Sequence, residues 1–178
     1  MLIALSMCLF RPIHAFLLPL LLASQALPIF VIAPLLVLWF GYGITAKILT
    51  TTFMLFFPVA NNFLDGLKQT PENYLNLAHI MNSSRWQTLY QIRIPAALPN
   101  LASGIRIATA MAPLGAIIGE WVGSSQGLGF LLLNANAQMQ TGLMFAILAV
   151  IFFFSIFIYF LIDKLLCLGM PWTLLKSH

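Results

Sequence analysis

Few residues in this sequence could do chemistry, and two stand out: Arg106 and Glu120, which lie in or beside a long apolar run. A charge inside a membrane span costs at least ~2.5–3.5 kcal/mol, so it normally pairs, reaches the interface or serves a solute pathway. The two residues are separated by about 21 Å along one helix, so they cannot pair with each other in a straight helix. Two roles stay open for Arg106: a structural ion pair, or attraction of an anionic or polar solute.

Other polar or helix-breaking residues within apolar stretches are further candidates for lining a solute path. They are Gln25, Pro28, Asn61 and Asn62. An interior proline removes a backbone hydrogen bond, which membrane helices tolerate where neighbouring groups or water satisfy the freed carbonyl. A hinged, path-lining helix and simple kinked packing both explain the prolines, and the sequence does not choose between them.

No catalytic or metal-binding constellation is visible in the sequence. His14, His79 and His178 are scattered and have no spacing that suits a metal site. Cys8 and Cys167 lie far apart in apolar sequence, so we expect free thiols that act as small hydrophobic groups. The Gly-x-x-x-x-Gly-Lys-Ser/Thr phosphate loop is also missing. We therefore expect this chain to be no enzyme and to hold no cofactor and no metal.

The longest polar interval, from Pro71 to Pro99, predicts a helix–turn–helix hairpin over about residues 70–94. Apolar residues recur there at helical spacing on both sides of Asn82-Ser83-Ser84. Asparagine tolerates the left-handed conformation that ends a helix, and serine is a good N-cap for the next one. We expect the hairpin to lie against a membrane surface, with the next buried segment beginning at Ile94-Pro95.

Composition places these residues in a membrane protein. The chain has 178 residues, of which 61% are hydrophobic and 7% charged, and its mean hydropathy is +0.98. A soluble domain carries about a quarter charged residues, so these charges are too few to cover a surface that faces water. Long apolar runs without strict alternation favour helices. We therefore predict an all-α, polytopic transmembrane helical bundle that forms one domain over residues 1–178.

The apolar runs predict about four complete spans and an N-terminal stub. The spans cover residues 13–40, 44–63, 95–119 and 142–165, and residues 1–10 form the stub. The interval from Trp121 to Thr141 is polar enough to leave the lipid in part, and we read Gly123–Gly129 as a loop.

The distribution of charge orients the spans. If the spans alternate, most basic residues fall on one side, namely Arg11, Lys68, Arg85, Arg93, Lys164 and Lys176. Lys47 falls on the opposite side. The positive-inside rule then puts the hairpin and the C-terminus in the cytoplasm. Since no run of five or more Lys or Arg occurs, we expect no nucleic-acid partner.

The hairpin resembles the coupling loop of permease subunits in binding-protein-dependent ABC importers. The family motif reads Glu-Ala-Ala, three residues, Gly, nine residues, Ile, one residue, Leu-Pro. When the motif is aligned on Ile92–Pro95, its Gly falls on Asn82 and its Glu-Ala-Ala on Asn76–Ala78. Ala78, Ile92 and Pro95 match strictly, whereas Asn76 and Leu77 depart from the motif.

Further stretches match the family in its order and spacing, so the resemblance covers roughly residues 12–172. They are residues 28–43, 56–58, 95–99, 103–106, 119–120 and 127–130. The chain is most similar to the branch that serves nitrate, sulfonate, taurine and thiamine-precursor pyrimidines. A pyrimidine is our expected solute, and nitrate, sulfonate and taurine stay open. Family members carry roughly two more helices before residue 1, so the chain looks N-terminally shortened.

The resemblance implies a type I ABC importer permease in the bacterial inner membrane, which forms the solute path as a homodimer. Its implied partners are separate ATPase subunits, which bind the ATP, and a periplasmic or lipid-anchored solute-binding protein. The residues that it assigns to ATPase coupling are Asn76, Leu77, Ala78, Asn82, Ser83, Arg85, Trp86, Ile92 and Pro95. The alternative for the whole chain is a secondary transporter or channel that needs no ATPase. The alternative for the hairpin is an amphipathic segment that lies in the lipid headgroups and docks to no partner.

Overall fold

The computed structural model describes residues 27–170, together with Phe16 and Pro19. Every regular element in this part of the chain is helical, which confirms the all-α prediction. The α-helices are α1 (Ile29–Phe40), α2 (Ile44–Lys68), α3 (Glu72–Ile80), α4 (Arg85–Thr88), α5 (Ile94–Gly123), α6 (Leu128–Ala137) and α7 (Thr141–Gly169), with a π-helical segment (Leu89–Arg93) between α4 and α5. The predicted stub and Gln25 lie outside the described residues.

Three helices in the described residues are long and apolar enough to cross a membrane. They are α2 with 25 residues, the continuous helix Arg85–Gly123 with 39, and α7 with 29. These helices contain the second, third and fourth predicted spans. The first predicted span falls largely outside the described residues, and its described end forms α1. Helix α2 ends at Lys68 rather than at the predicted Phe63, and Leu64 and Leu67 of this extension are buried in the packed core.

The second helix of the hairpin and the next span form one continuous helix, Arg85–Gly123, whereas the sequence predicted a new segment at Ile94-Pro95. The Ile94 N–H bonds to the Leu89 carbonyl, which is π-helical spacing. Proline has no N–H and its ring crowds the carbonyl four residues earlier. A wider π turn just before Pro95 accommodates this defect without ending the helix.

Helices α2 and α5 form the main packing unit, and glycines bring their backbones together. A Cβ on Gly104 would lie 2.9 Å from the Pro58 carbonyl oxygen, and one on Gly66 would lie 3.0 Å from the Ala97 Cα. Farther along, a Cβ on Gly119 would lie 3.1 Å from the Lys47 Cα. Small residues at such contacts let membrane helices approach closely, which strengthens van der Waals attraction between them.

A buried apolar cluster joins the hairpin end of α2 and α5. Its buried members are Phe63, Leu64, Leu67, Leu89, Ala97 and Leu101. Leu89 comes from the π segment and is 1% exposed, so the hairpin is anchored directly in this cluster.

The interval between the last two spans contains a helix that the sequence did not predict. The predicted loop Gly123–Gly129 is non-helical only over residues 124–127, and α6 follows it. Helix α7 packs against α5 and α6. Only 6% of its most apolar window is buried, so most of its surface is open to lipid or to another chain.

Replacement of Gly104 by Ala should destabilise the chain by about 1–3 kcal/mol, because the added methyl group would overpack the α2–α5 contact. The matched control is Gly142→Ala in α7, where an added Cβ meets nothing within 4 Å. There the higher helix propensity of alanine should raise stability by about 0.5–1 kcal/mol. Thermal unfolding in detergent measures both variants, and shifts of the same sign would contradict the packing assignment.

Candidate coupling surface

The turn of the hairpin is built by the C-terminal cap of α3. The Ser83 N–H donates to the Ala78 carbonyl at 3.0 Å, and the Asn82 N–H donates to the His79 carbonyl at 3.1 Å. These two bonds, with Asn82 in the left-handed conformation at φ 50°, make a Schellman motif. The position that aligns with the glycine of the family motif is thus one where glycine or asparagine fits best.

Helix α4 begins with a capping box, which confirms serine as the N-cap of the second helix. The Ser84 hydroxyl accepts a hydrogen bond from the Gln87 N–H at 3.3 Å, and the Gln87 side chain accepts one from the Ser84 N–H at 2.9 Å. Both bonds satisfy helix-end groups that would otherwise lack partners. The turn between the two helices is therefore held by hydrogen bonds on both sides.

The hairpin presents an open aromatic and apolar surface beside a basic side chain. Trp86 is 56% exposed and stacks on Tyr90, with ring centroids 6.3 Å apart. Leu77 is 52% exposed, and Asn76 and Arg85 are also exposed. These side chains are accessible to another molecule. We call Asn76, Leu77, Arg85, Trp86 and Tyr90 the coupling surface.

The remaining predicted coupling residues differ in their exposure. Ala78 is only 3% exposed, so it positions the hairpin rather than offering a side chain to a partner. Asn82 is exposed and Ser83 half-buried in the turn. Ile92 and Pro95 line a groove with Tyr74 and residues of α2 and α5. They therefore lie apart from the exposed side chains of the turn.

The sequence reasoning missed Tyr74 and Tyr90, which are 52% and 61% exposed. Both lie outside the periodic apolar positions from which the hairpin was inferred. That offset does not by itself mark an outward-facing side chain, because Trp86 lies on the periodic positions and is 56% exposed as well.

The asparagines proposed for the solute path bond within α2. The Asn61 side-chain amide donates to the Asp65 carboxylate at 3.0 Å, and the Asn62 amide donates to the Pro58 carbonyl at 2.8 Å. Asn62 also lies against Gly104 at the α2–α5 contact. Both side chains are half-buried, and their role in a path stays a prediction.

Arg106 has a partner that the sequence could not identify. Its Nε donates to the Asp163 Oδ1 at 2.6 Å, which joins α5 to α7 across 57 residues of sequence. Both side chains are 34% exposed, and the Cys167 sulfur lies 3.8 Å from the guanidinium Nη2. The geometry matches the structural ion pair, the first of the two roles left open for this residue.

Glu120 and Pro28 are also engaged locally. The Glu120 carboxylate accepts a hydrogen bond from the Gly129 N–H at 2.7 Å, which fastens the first turn of α6 to α5. A carboxylate at a helix N-terminus is stabilised by the unpaired N–H groups and the helix dipole. Pro28 is exposed and caps α1 in an extended conformation. Among the described residues, the side-chain hydrogen bonds of Asn61, Asn62, Arg106 and Glu120 all go to residues outside the set of path candidates.

Asn82→Gly should leave the hairpin intact, whereas Asn82→Val should loosen it. A β-branched residue at φ 50° costs at least about 1–2 kcal/mol, while glycine adopts this conformation freely. Hydrogen exchange of the amides around the turn measures the difference. The exposed Asn76, in the middle of α3, supplies the control Asn76→Val, for which protection of the turn should change much less. Equal loss of protection in both valine variants would contradict the assignment of Asn82 as the left-handed residue that ends α3.

The ion pair between Arg106 and Asp163 should appear as coupling in a double-mutant cycle. Arg106→Gln leaves a carboxylate without its partner, so it should lower the thermal midpoint in detergent. Asp163→Asn added to that variant should restore part of the loss, with a coupling energy of about 0.5–3 kcal/mol. Additive effects of the two substitutions would show that the contact between Arg106 and Asp163 does not stabilise the fold.

Comparison with known proteins agrees with this architecture. Residues 1–166 match the family described as binding-protein-dependent transport system inner membrane component. A probable ABC transporter permease protein of Haemophilus influenzae is 54% identical over 156 residues, which cover 88% of this chain and 64% of that protein. A formylaminopyrimidine transport permease protein of Halalkalibacterium halodurans is 38% identical over 154 residues, covering 86% of this chain and 62% of that protein.

A riboflavin transport system permease protein of Chloroflexus aurantiacus is 37% identical over 154 residues, covering 86% of this chain and 58% of that protein. The chain thus spans about three fifths of the length of these relatives. The family match extends over the apolar helices and over the hairpin that contains the coupling surface. The chain therefore belongs to the binding-protein-dependent transport system inner membrane components, the permease subunits of ABC transporters.

Proposed function

We propose that this chain is the membrane-spanning subunit of an ATP-driven importer and that its hairpin couples it to a separate ATPase. The observation that carries the proposal is the hairpin itself. It exposes Leu77, Arg85 and Trp86, and it buries Leu89, a few residues farther along the same helix as Arg85 and Trp86, in the α2–α5 core. A partner that moves the coupling surface would therefore also move α2 and α5, which cross the membrane.

The coupling surface suits a groove on a partner protein. An exposed aromatic anchor beside an arginine is the composition that dominates binding energy at protein interfaces. A short helix with an apolar face docks into such a groove through residues three to four positions apart. Because the turn is capped at Asn82 and Ser84, the hairpin would deform little when closure of the ATPase pushes on it.

Transport follows as alternating access, in which the ATPase closes and the helices rock as rigid bodies. The packing of α2 against α5 supports this mechanism, because glycine contacts leave little room for the two helices to slide. We propose that the chain works as a homodimer in the bacterial inner membrane, with the hairpin and the C-terminus in the cytoplasm. A solute-binding protein would deliver the solute at the opposite end.

The solute that we propose is a small pyrimidine or a related heterocycle. The support comes from two relatives, which are named for the transport of formylaminopyrimidine and riboflavin. ATP would be bound and hydrolysed by the partner subunit, while this chain forms the path.

Recovery of the tagged chain from detergent-solubilised membranes, followed by mass spectrometry, tests the coupling. A stoichiometric ATPase should be recovered with the unaltered chain. Trp86→Ala should weaken the complex by about thirtyfold, because truncating an interface anchor costs about 2 kcal/mol or more. Arg85→Glu should weaken it as well, since it reverses the charge at the edge of the coupling surface.

Two matched controls separate coupling from general damage. Phe153→Ala removes an aromatic side chain that is 69% exposed on α7, and Lys164→Glu reverses an exposed charge near the end of α7. Neither should change ATPase recovery. The proposal fails if no ATPase accompanies the unaltered chain, or if the hairpin variants and the controls retain it equally.

A further inference from the structure

A pocket with a volume of about 530 Å³ lies at the end of the bundle opposite the hairpin. It is formed where α2 begins and α5 ends, and α2 separates it from the hairpin by about 37 Å. Its lining residues are Tyr42, Gly43, Ile44, Lys47, Gly123, Ser124, Ser125, Gln126 and Phe130. Its volume lies within the range of about 300–1,000 Å³ that is usual for small-molecule sites.

Lys47 lines this pocket, and no ion pair with another described residue stabilises its charge there. It is half-buried in the first turns of α2, and none of the carboxylates in residues 27–170 lies within 4 Å of its ammonium nitrogen. A cation near a helix N-terminus also opposes the helix dipole. Two unfavourable placements therefore coincide at one side chain. An acceptor group brought by a ligand would offset both.

The loop on the other wall is held in place by its own hydrogen bonds. The Ser124 hydroxyl donates to the Gln126 carbonyl at 2.5 Å and accepts from the Gln126 N–H at 3.1 Å. Behind it, Glu120 accepts from the Gly129 N–H at 2.7 Å. Gly127 adopts φ 122°, which L side chains rarely adopt, and a Cβ there would lie 2.3 Å from the Glu120 carboxylate and displace it. The loop is therefore preorganised.

This arrangement leaves several polar groups free to meet a ligand. Within the described part of the chain, the Ser125 hydroxyl and the Gln126 side-chain amide have no hydrogen-bond partner, and both residues are exposed on the loop. Tyr42 and Phe130 add two aromatic rings to the lining. One ammonium, one amide and aromatic walls together suit a ring with acceptor atoms on its edge, since rings stack on aromatic faces.

We propose that this pocket is an entry site for a planar heteroaromatic solute that carries a carbonyl or ring-nitrogen acceptor. The Lys47 ammonium donates to that acceptor, the Gln126 amide pairs with a second edge group, and the ring lies against Tyr42 and Phe130. An alkanesulfonate has no ring and engages only the polar groups. The assignment of the pocket to the outer face rests on the proposed function, which places the hairpin in the cytoplasm.

Protection of a cysteine reporter tests the site in the full chain. Ile44 lines the pocket and is 73% exposed, and it makes none of the proposed contacts to the solute. Ile44→Cys therefore places a thiol at the rim without removing a binding group. A membrane-impermeant maleimide is added to spheroplasts, and the unaltered chain gives the background from Cys8 and Cys167. Formylaminopyrimidine, riboflavin and taurine are the probes.

Formylaminopyrimidine or riboflavin should slow labelling, and taurine should not. Lys47→Ala should raise the probe concentration for half-protection by about tenfold or more, because it removes a hydrogen bond from a charged donor. Lys47→Arg, which keeps the cation, should be affected less. Equal labelling rates of these variants without probe would show that the pocket itself is unchanged.

The site assignment is overturned if neither heterocycle protects, if protection is the same after Lys47→Ala, or if taurine protects as well as the heterocycles. The same Ile44→Cys thiol also reports, independently of ligand binding, on which side of the membrane the pocket lies. Labelling that occurs only in inverted vesicles would overturn the cytoplasmic hairpin of the proposed function. Protection by a heterocycle in those vesicles would still support the pocket as its binding site.

Discussion

The close approach of α2 and α5 is the constraint on which the rest of this structure depends. In a membrane, lipid is as apolar as a leucine side chain, so burial of apolar surface does not by itself hold two helices together. Contact between backbones does, and glycines at positions 66, 104, 115 and 119 permit it along both helices. This unit holds the hairpin at one end and the pocket at the other, so the two ends are joined by one rigid element.

The hairpin combines local and tertiary stabilisation. Its turn is determined by short-range hydrogen bonds, through the left-handed Asn82 and the capping box of Ser84. Its position depends on Leu89, which is buried among residues of α2 and α5. The π turn before Pro95 lets the same helix continue into the membrane. Trp86 and Tyr90 are therefore joined to the core by a continuous helix.

The polar residues of the apolar stretches are mostly engaged in contacts within the chain. Arg106 fastens α5 to α7, and Glu120 fastens α6 to α5. Such contacts offset the cost of placing charge near lipid. Lys68, Arg85 and Lys164 also lack a carboxylate contact among the described residues, but they are exposed, whereas Lys47 is half-buried without one. This contrast separates structural charges from the one that we assign to a solute.

The sequence by itself determined the helical class, the three described spans and the hairpin with its capped turn, because composition, periodicity and capping chemistry act over a few neighbouring residues. It missed α6, since a short helix between polar loops has weak periodicity. It also could not pair Arg106 with Asp163, or place Ala78 inside and Trp86 outside. Those outcomes depend on which helix faces meet across long separations in sequence, such as the 57 residues between Arg106 and Asp163, and only the tertiary structure decided that.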